Sequence, residues 1–230
     1  MRVSILILLL LAGEACVQAQ TPAGNPAPRT STQSQAAATK TDPALFTSEA
    51  DYSYSYPADW EVVDAKPMMP VERLKAEQSA TSDVERKGAS CVEIQLMIRH
   101  GDPKSVILVM YLDFKCVGVE LKQNDLASAG MGMSKGLTKS FNIKEAKYGA
   151  YKLGSHTFWI ERAEGSPTEN PEKSYSLETT CSILKKGLVC WLGMAASPDA
   201  ITALESGKVS LEGDPQSALV PASAFQLASK

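Results

Sequence analysis

The chain has 230 residues and a formal net charge of −3 at pH 7, and its acidic and basic residues are interspersed. Lys and Arg form no dense cluster with aromatic residues between them, which excludes the usual pattern of a nucleic-acid-binding protein. We therefore predict that nucleic acid is not among its partners.

The first residues have the pattern of an export signal. Arg2 supplies a positive charge, and Val3 to Gly13 is an apolar run of 11 residues. Such a run is too short to span a bilayer as a helix but suits a signal peptide. Val17-Gln18-Ala19 offers small residues before a cleavage point. We predict a signal peptide over residues 1–19 and a mature chain that begins at Gln20 and is periplasmic or secreted.

A lipoprotein signal is the competing interpretation of the same segment. Gly13-Glu14-Ala15-Cys16 would then be cut before a lipidated Cys16. Glu14 beside the cut fits that pattern poorly, so we expect export without lipidation. No later segment is apolar enough to cross a membrane, which predicts a mature chain without a transmembrane segment.

Three regions follow the signal. Gln20 to Lys40 contains no aromatic residue and no Val, Ile, Leu or Met, so it cannot bury enough apolar area to offset its chain entropy. Residues 20–44 are therefore predicted to be a disordered linker. Residues 45–212 suit one domain with a sizeable core. Residues 213–230 are expected to form a flexible C-terminal tail.

The domain opens on an aromatic segment with two possible interpretations. Tyr52, Tyr54 and Tyr56 share one face of an extended strand, and Pro57-Ala58-Asp59 forms a turn into Trp60. This is either an exposed aromatic binding surface or the first corner of a buried sheet. The alternation of a half-buried strand and the Pro-led turn favour a structural corner made by Tyr56, Pro57 and Trp60.

The middle of the domain predicts helices around two strong strands. A short surface helix is expected over Pro70–Ala80. Val92, Ile94, Leu96 and Ile98 alternate with Glu93, Gln95, Met97 and Arg99, which indicates a half-buried strand. Val106 to Phe114 is apolar at nearly every position and is expected to be a central strand.

A longer helix is expected from Leu126 to about Lys139, capped by Asn124 or Asp125. Leu126, Met133 and Leu137 lie on one stripe of this helix. Its glycines lack the Gly-Lys-Ser/Thr ending of a phosphate loop, so we expect them to permit close packing on a sheet.

The last third predicts strands and one helix. The expected strands are Phe141–Lys147, Ala150–Leu153, Thr157–Arg162, Ser174–Leu184 and Leu188–Ala195. Ser197-Pro198-Asp199 then opens a helix that buries Ile201 and Leu204. Runs of antiparallel strands with few helices predict an α+β protein, a central antiparallel β-sheet with helices packed on it.

These features together resemble the PsbP-like family. The resemblance covers roughly Phe46 to Leu211 and rests on four places: the segment Tyr52–Trp60, the strand Val106–Phe114, the helix followed by Phe141-Asn142-Ile143 and Gly154–Trp159, and the final hairpin with the Ser-Pro-Asp helix. It implies an α/β/α sandwich whose aromatic corner is structural. It also implies a non-catalytic binding or assembly subunit, and it transfers no binding residue to this sequence.

Catalytic residues are hard to find in this chain. Its histidines are His100, in an expected hairpin turn, and His156, which shares strand parity with Phe158 and Ile160. No Gly-x-Ser-x-Gly or Cys-x-x-Cys motif is present, so we predict neither cofactor nor metal. The first hypothesis is a binding or assembly module for an envelope protein or a small ligand. The alternative is a hydrolase-like envelope enzyme that uses His156.

Four cysteines remain after the signal: Cys91, Cys116, Cys181 and Cys190. An even count in an exported chain predicts two disulfides, with three possible pairings. We favour the two local pairs, Cys181–Cys190 and Cys91–Cys116.

The two local pairs differ in how easily they form. Cys181 and Cys190 face each other if Lys185-Lys186 is a two-residue loop, and are diagonal neighbours if Gly187 adds a bulge. Matching Val92 with Phe114 and Leu96 with Met110 puts Cys91 and Cys116 on opposite faces of the hairpin. That pair would then need a bulge at the strand end.

Overall fold

The computed structural model describes residues 42–80, 82–102 and 104–225, so the expected signal peptide, Cys16 and the linker up to residue 41 lie outside the described residues. The helices are α1 (Met69–Ser79), α2 (Asp83–Ser90), α3 (Phe114–Val117), α4 (Leu126–Thr138) and α5 (Pro198–Ser206). The strands are β1 (Ala44–Ser48), β2 (Tyr52–Tyr56), β3 (Glu61–Val62), β4 (Val92–His100), β5 (Ser105–Asp113), β6 (Phe141–Leu153), β7 (His156–Pro167), β8 (Tyr175–Ile183), β9 (Gly187–Ala195), β10 (Lys208–Leu211) and β11 (Ser217–Ala218).

The strands form two antiparallel sheets. The larger has seven strands in the order β3-β4-β5-β9-β8-β7-β6, and the smaller has four in the order β1-β2-β10-β11. Every strand pair in the described residues is antiparallel. The α+β class expected from the sequence is therefore confirmed. The four-stranded sheet is an additional layer that the sequence analysis did not predict.

One face of the seven-stranded sheet, here the helix face, is covered by α4. Leu126, Ala129 and Met133 of α4 are buried in a cluster with Trp159 of β7 and Leu192 of β9. A side chain at Gly130 would collide with the Trp159 ring. This glycine therefore allows the close helix packing that the sequence predicted. The side chain of Leu137 lies outside the described part of the chain.

The opposite face, here the sheet face, is covered by the four-stranded sheet and α5. Its core is rich in aromatic residues, and Leu204 of α5 is fully buried there. Ile201, expected beside Leu204 in the buried face of α5, is only partly buried, and Ala200 is buried instead. The aromatic side chains of this core are Tyr52, Tyr54, Tyr56, Trp60, Tyr111, Tyr151, Phe158 and Trp191.

The expected flexible tail contributes to this layer. Residues 217–218 pair with β10 as strand β11, and Leu219 and Ala224 are buried. The backbone N–H of Leu219 donates to the carbonyl of Gly207 at 2.8 Å. Residues 213–225 are thus ordered parts of the domain, a correction to the predicted tail. Burial of the Leu219 and Ala224 side chains stabilises this segment.

A bulge in β4 places the apolar side chains before and after it on opposite faces of the sheet. The register with β5 shifts between Ile94 and Leu96, so Gln95 has no directly opposite residue. Leu96 then joins the sheet-face core, whereas Ile94 packs toward the helix face. The hydroxyl groups of Ser48 and Tyr52 both donate to Gln95 Oε1. Strand β4 is thereby fastened to the second sheet.

Both favoured cysteine pairs are disulfides in the structure. Cys181 lies directly opposite Cys190 in the β8–β9 register, with Cα atoms 4.2 Å apart, as the two-residue loop predicted. The Cα atoms of Cys91 and Cys116 are 5.7 Å apart.

The expected route to the Cys91–Cys116 bond is wrong. Val92 lies opposite Leu112 instead of Phe114, and Leu96 lies opposite Val109 instead of Met110. The bulge occurs inside β4, and Cys116 belongs to the short helix α3 after β5. Cys91 caps the end of α2. The bond therefore joins two helix ends beside the hairpin instead of bridging its strands.

Candidate functional site

The aromatic corner lies in the core. Tyr56 and Trp60 are 8% and 6% exposed, and Tyr54 is fully buried. Pro57 starts the turn, and the Trp60 N–H donates to the Pro57 carbonyl at 3.2 Å. The Trp60 ring stacks on His100 with centroids 5.5 Å apart. These side chains fix the second sheet against the first, and no exposed aromatic surface forms there.

His156 lies at the β6–β7 turn, beside two carboxylates from the segment after β10. Its Nε2 is 3.8 Å from Glu212 Oε2 and 3.9 Å from Asp214 Oδ2. The side chains of His156 and Glu212 are 10% and 12% exposed. The fold therefore brings acidic groups to the histidine that the sequence singled out, from residues about 60 positions away that no motif marks.

The hydrogen bonds in this cluster fasten loops together. The Ser155 N–H and hydroxyl both donate to Asp214 Oδ2, at 2.7 and 3.0 Å. These bonds, with the nearby His156, hold the pKa of Asp214 below its usual range. The Lys185 N–H donates to Glu212 Oε1 at 2.8 Å. We call Ser155, His156, Lys185, Glu212 and Asp214 the latch.

The latch leaves little room for a substrate. A cavity of about 10 Å³ lies beside Asp214, lined mainly by Leu153, Phe158, Val209 and Leu211. That volume fits about one water molecule. The Ser155 hydroxyl donates to a carboxylate, whereas a nucleophilic serine donates to a histidine base. The geometry is that of a structural connection between three turns.

A second charged cluster lies on the sheet face, around the buried carboxylate of Glu178. Arg162 Nε donates to Glu178 Oε2 at 2.9 Å, and the same guanidinium pairs with Glu205. It also lies over the Phe225 ring, 4.8 Å from its centre. Burial raises the pKa of Glu178 to about 7, although Arg162 opposes the shift. Sequence analysis missed this cluster, because strand parity alone does not pair charges across strands.

Strand β6 forms one edge of the seven-stranded sheet and divides into two parts. Gly149 and Tyr151 are buried, so residues 149–153 are the covered half. Residues 142–148, the open half, are exposed except for the partly buried Ala146. No described strand pairs with their outer edge. The two strands expected over this region are one continuous strand.

Exposed apolar side chains accompany the open half. Ile143 is 39% exposed and Tyr148 48%. Tyr148 packs near Trp159, with ring centroids 6.2 Å apart, so it lies on the helix face. Met131 of α4 is also 39% exposed. One helical turn after it, Ser134 hydrogen-bonds Glu161, and Glu161 lies opposite Tyr148 in the sheet. Met131 is therefore on the part of α4 near Tyr148. The charged residues Lys144, Glu145 and Lys147 are a sequence signal of an exposed edge that the sequence analysis did not use.

Two other kinds of site have no candidate in the described residues. Across residues 42–80, 82–102 and 104–225, no three His, Cys, Asp or Glu side chains are grouped as metal ligands. Within the same ranges, no helix has the length and apolar character needed to span a membrane.

Comparisons with known proteins give a similarity in fold to solved structures. No protein-family model matches the chain. A comparison with curated proteins gives no match. The chain is similar in fold to the solution structure of cyanobacterial PsbP (CyanoP) from Synechocystis sp. PCC 6803, with a TM-score of 0.41 and 10% sequence identity. The alignment covers 78% of this chain and 98% of that chain. This similarity gives the chain no ligand, partner or activity.

Proposed function

We propose that this protein is an exported, non-catalytic binding or assembly module, and that the open half of β6 is its contact surface. The observation that carries the proposal is the exposed, unpaired edge at residues 142–148, flanked by exposed Ile143 and Tyr148. An open strand edge presents backbone donors and acceptors to a further strand. Exposed apolar groups beside it add area that a partner can bury.

Export is supported by two separate features. The segment before Gln20 has the composition of a signal peptide. The bonds Cys91–Cys116 and Cys181–Cys190 suit an oxidising compartment such as the periplasm or the extracellular space. A PsbP-like α/β/α sandwich is part of the same proposal, supported by the sequence motifs from Tyr52 to the Ser-Pro-Asp helix.

The alternative function is a hydrolase-like reaction at His156. Two carboxylates within 4 Å of its Nε2 favour this alternative. The direction of the Ser155 hydrogen bonds and the water-sized cavity favour the latch instead. His156→Ala separates them: a latch variant loses stability, whereas an enzyme variant loses turnover of an ester or peptide substrate while remaining folded.

Site-specific photo-crosslinking in intact cells tests the contact surface. A photoreactive amino acid replaces Lys147 in the open half or, as the control, the exposed Lys208 of β10. The proposal predicts a discrete cross-linked product from position 147 and none from position 208. Equal products at both positions, or none at position 147, would contradict it.

A further inference from the structure

Resting on the proposed function, we propose that the partner of the open half is a second copy of this chain. The two open halves pair as antiparallel strands around a two-fold axis at Ala146, which joins two seven-stranded sheets into one. The inference depends on charges and symmetry within residues 143–149, where the outer edge has no described partner.

Symmetry restricts the possible registers. Directly opposed residues in a sheet point to the same face, and successive residues alternate between faces. A two-fold axis perpendicular to the sheet must therefore pass through a residue position. An axis at Ala146 places Glu145 opposite Lys147 of the second copy, and this happens twice. An axis at Glu145 or Lys147 would oppose like charges instead.

The charges within one copy favour an additional strand. In the β6–β7 register, Glu145 lies opposite Glu164, and Lys147 lies opposite Arg162. Directly opposed like charges destabilise a strand pair. The Glu145 and Lys147 side chains reach each other along β6 at 3.3 Å but stay 66% and 70% exposed. A second copy places its Lys147 beside Glu145 and its Glu145 beside Lys147, on the side of β6 that faces away from β7.

The apolar side chains also lie close to the proposed axis. Ile143 and Tyr148 are within three residues of Ala146, and both lie on the helix face, since Ile143 packs beside Gly165 and Tyr148 beside Trp159. The bulge at Lys144 keeps them on one face despite their odd spacing. Pairing around Ala146 therefore places Ile143 of each copy diagonally beside Tyr148 of the other on the same face, which removes both side chains from water.

The opposite edge of the sheet does not offer such a surface. Strand β3 has two residues, Glu61–Val62. The Arg99 guanidinium donates twice to the Glu61 carboxylate, with both distances 2.7 Å. Two residues give too few backbone hydrogen bonds for a stable strand pair. Of the two edges of this sheet, β6 is therefore the one that suits self-association.

Charge reversal tests the register. The variants are Glu145→Lys, Lys147→Glu and the double variant, each purified as the mature chain with unchanged circular dichroism and measured by sedimentation velocity up to about 100 μM. The wild type is expected to be a dimer, and each single variant should dissociate about tenfold more readily. An equimolar mixture of the two single variants, and the double variant alone, should recover the dimer.

The experiments distinguish failure of the self-pairing, failure of the Ala146 register and failure of the proposed function. A wild type that stays monomeric, or single variants that dimerise like the wild type, would overturn the self-pairing. Weak single variants whose mixture does not recover the dimer would overturn the Ala146 register. If the wild type is monomeric but position 147 still cross-links to another protein in cells, the proposed function stands and only this inference fails. If neither occurs, both fail.

Discussion

The two halves of strand β6 share one chain and one neighbour but have different surroundings. Both pair with β7 in the same antiparallel ladder. In the covered half, Gly149 lies under the Ala224 carbonyl, where any side chain would collide, and Tyr151 is 2% exposed. The open half lacks such a cover in the described residues. The difference teaches that pairing with β7 alone does not bury β6. The covered half is buried because residues 219–225 lie across it.

The largest expected difference is between Tyr151 and Tyr148. The Tyr151 ring stacks on Phe158 with centroids 5.1 Å apart, and its hydroxyl donates to the Leu219 carbonyl at 2.7 Å. Tyr151→Ala should lower the free energy of unfolding by about 3–5 kcal/mol, as for other buried aromatic residues. Tyr148→Ala, at a half-exposed position, should change it by less than about 1 kcal/mol.

Urea unfolding of the two tyrosine variants measures this difference directly. Both replace the same residue type in the same strand, so strand propensity affects them alike. Equal losses would show that the open half is as strongly packed as the covered half, and would break the comparison.

Glu178 is buried near the open half, and its titration should make the stability of the protein depend on pH. It pairs with Arg162, which lies opposite Lys147. Burial raises its folded-state pKa from 4.5 to about 7, so the folded state holds the proton more tightly. Wild-type stability should therefore fall as pH rises from about 4.5 to about 7.

Glu178→Gln removes this titration. Relative to the wild type, the variant should gain about 2–3 kcal/mol between pH 4.5 and pH 8, since one pKa unit corresponds to about 1.4 kcal/mol. Urea midpoints at several pH values measure the change. Parallel curves for the two proteins would show that Glu178 does not titrate with folding.

The smallest expected effect concerns the latch at the end of the covered half. Hydrogen bonds from Ser155, with His156 nearby, lower the pKa of Asp214. Its contribution to stability is therefore present above the ordinary pKa of aspartate and is lost as pH falls through the lowered folded-state value. Asp214→Asn should destabilise the protein modestly near pH 7, and the difference should shrink in acid.

Thermal unfolding of Asp214→Asn beside Asp199→Asn provides the control, since Asp199 is exposed in the first turn of α5. A larger loss at position 199, or a difference that grows in acid, would contradict the latch.

Much of the fold follows from local sequence pattern. The alternation in Val92–Ile98, the apolar run of β5 and the glycine-rich helix α4 each predict the element found. The local cysteine pairs were also predictable, because each pair flanks one hairpin. These features depend on residues close together in the chain.

The missed features depend on distant residues. The bulge at Gln95 has no pattern in the β4 sequence, and the hydroxyl groups that bind Gln95 come from Ser48 and Tyr52. Glu212 reaches His156 through a backbone with φ of 46°, a left-handed conformation that polar residues adopt only occasionally. The second sheet likewise forms only when β10 meets β2. Sequence periodicity does not report such encounters.

Hydrogen–deuterium exchange compares the two halves of β6 most directly. It follows backbone amides in residues 142–148 and 149–153 at low and high protein concentration, with Glu145→Lys as the control that assembles about tenfold more weakly. If the open half pairs with a second copy of the chain, its exchange slows as the wild-type concentration rises and slows much less in the control, while the covered half exchanges slowly throughout. Concentration-independent exchange in the open half, or equal slowing in the control, would contradict the pairing of two copies.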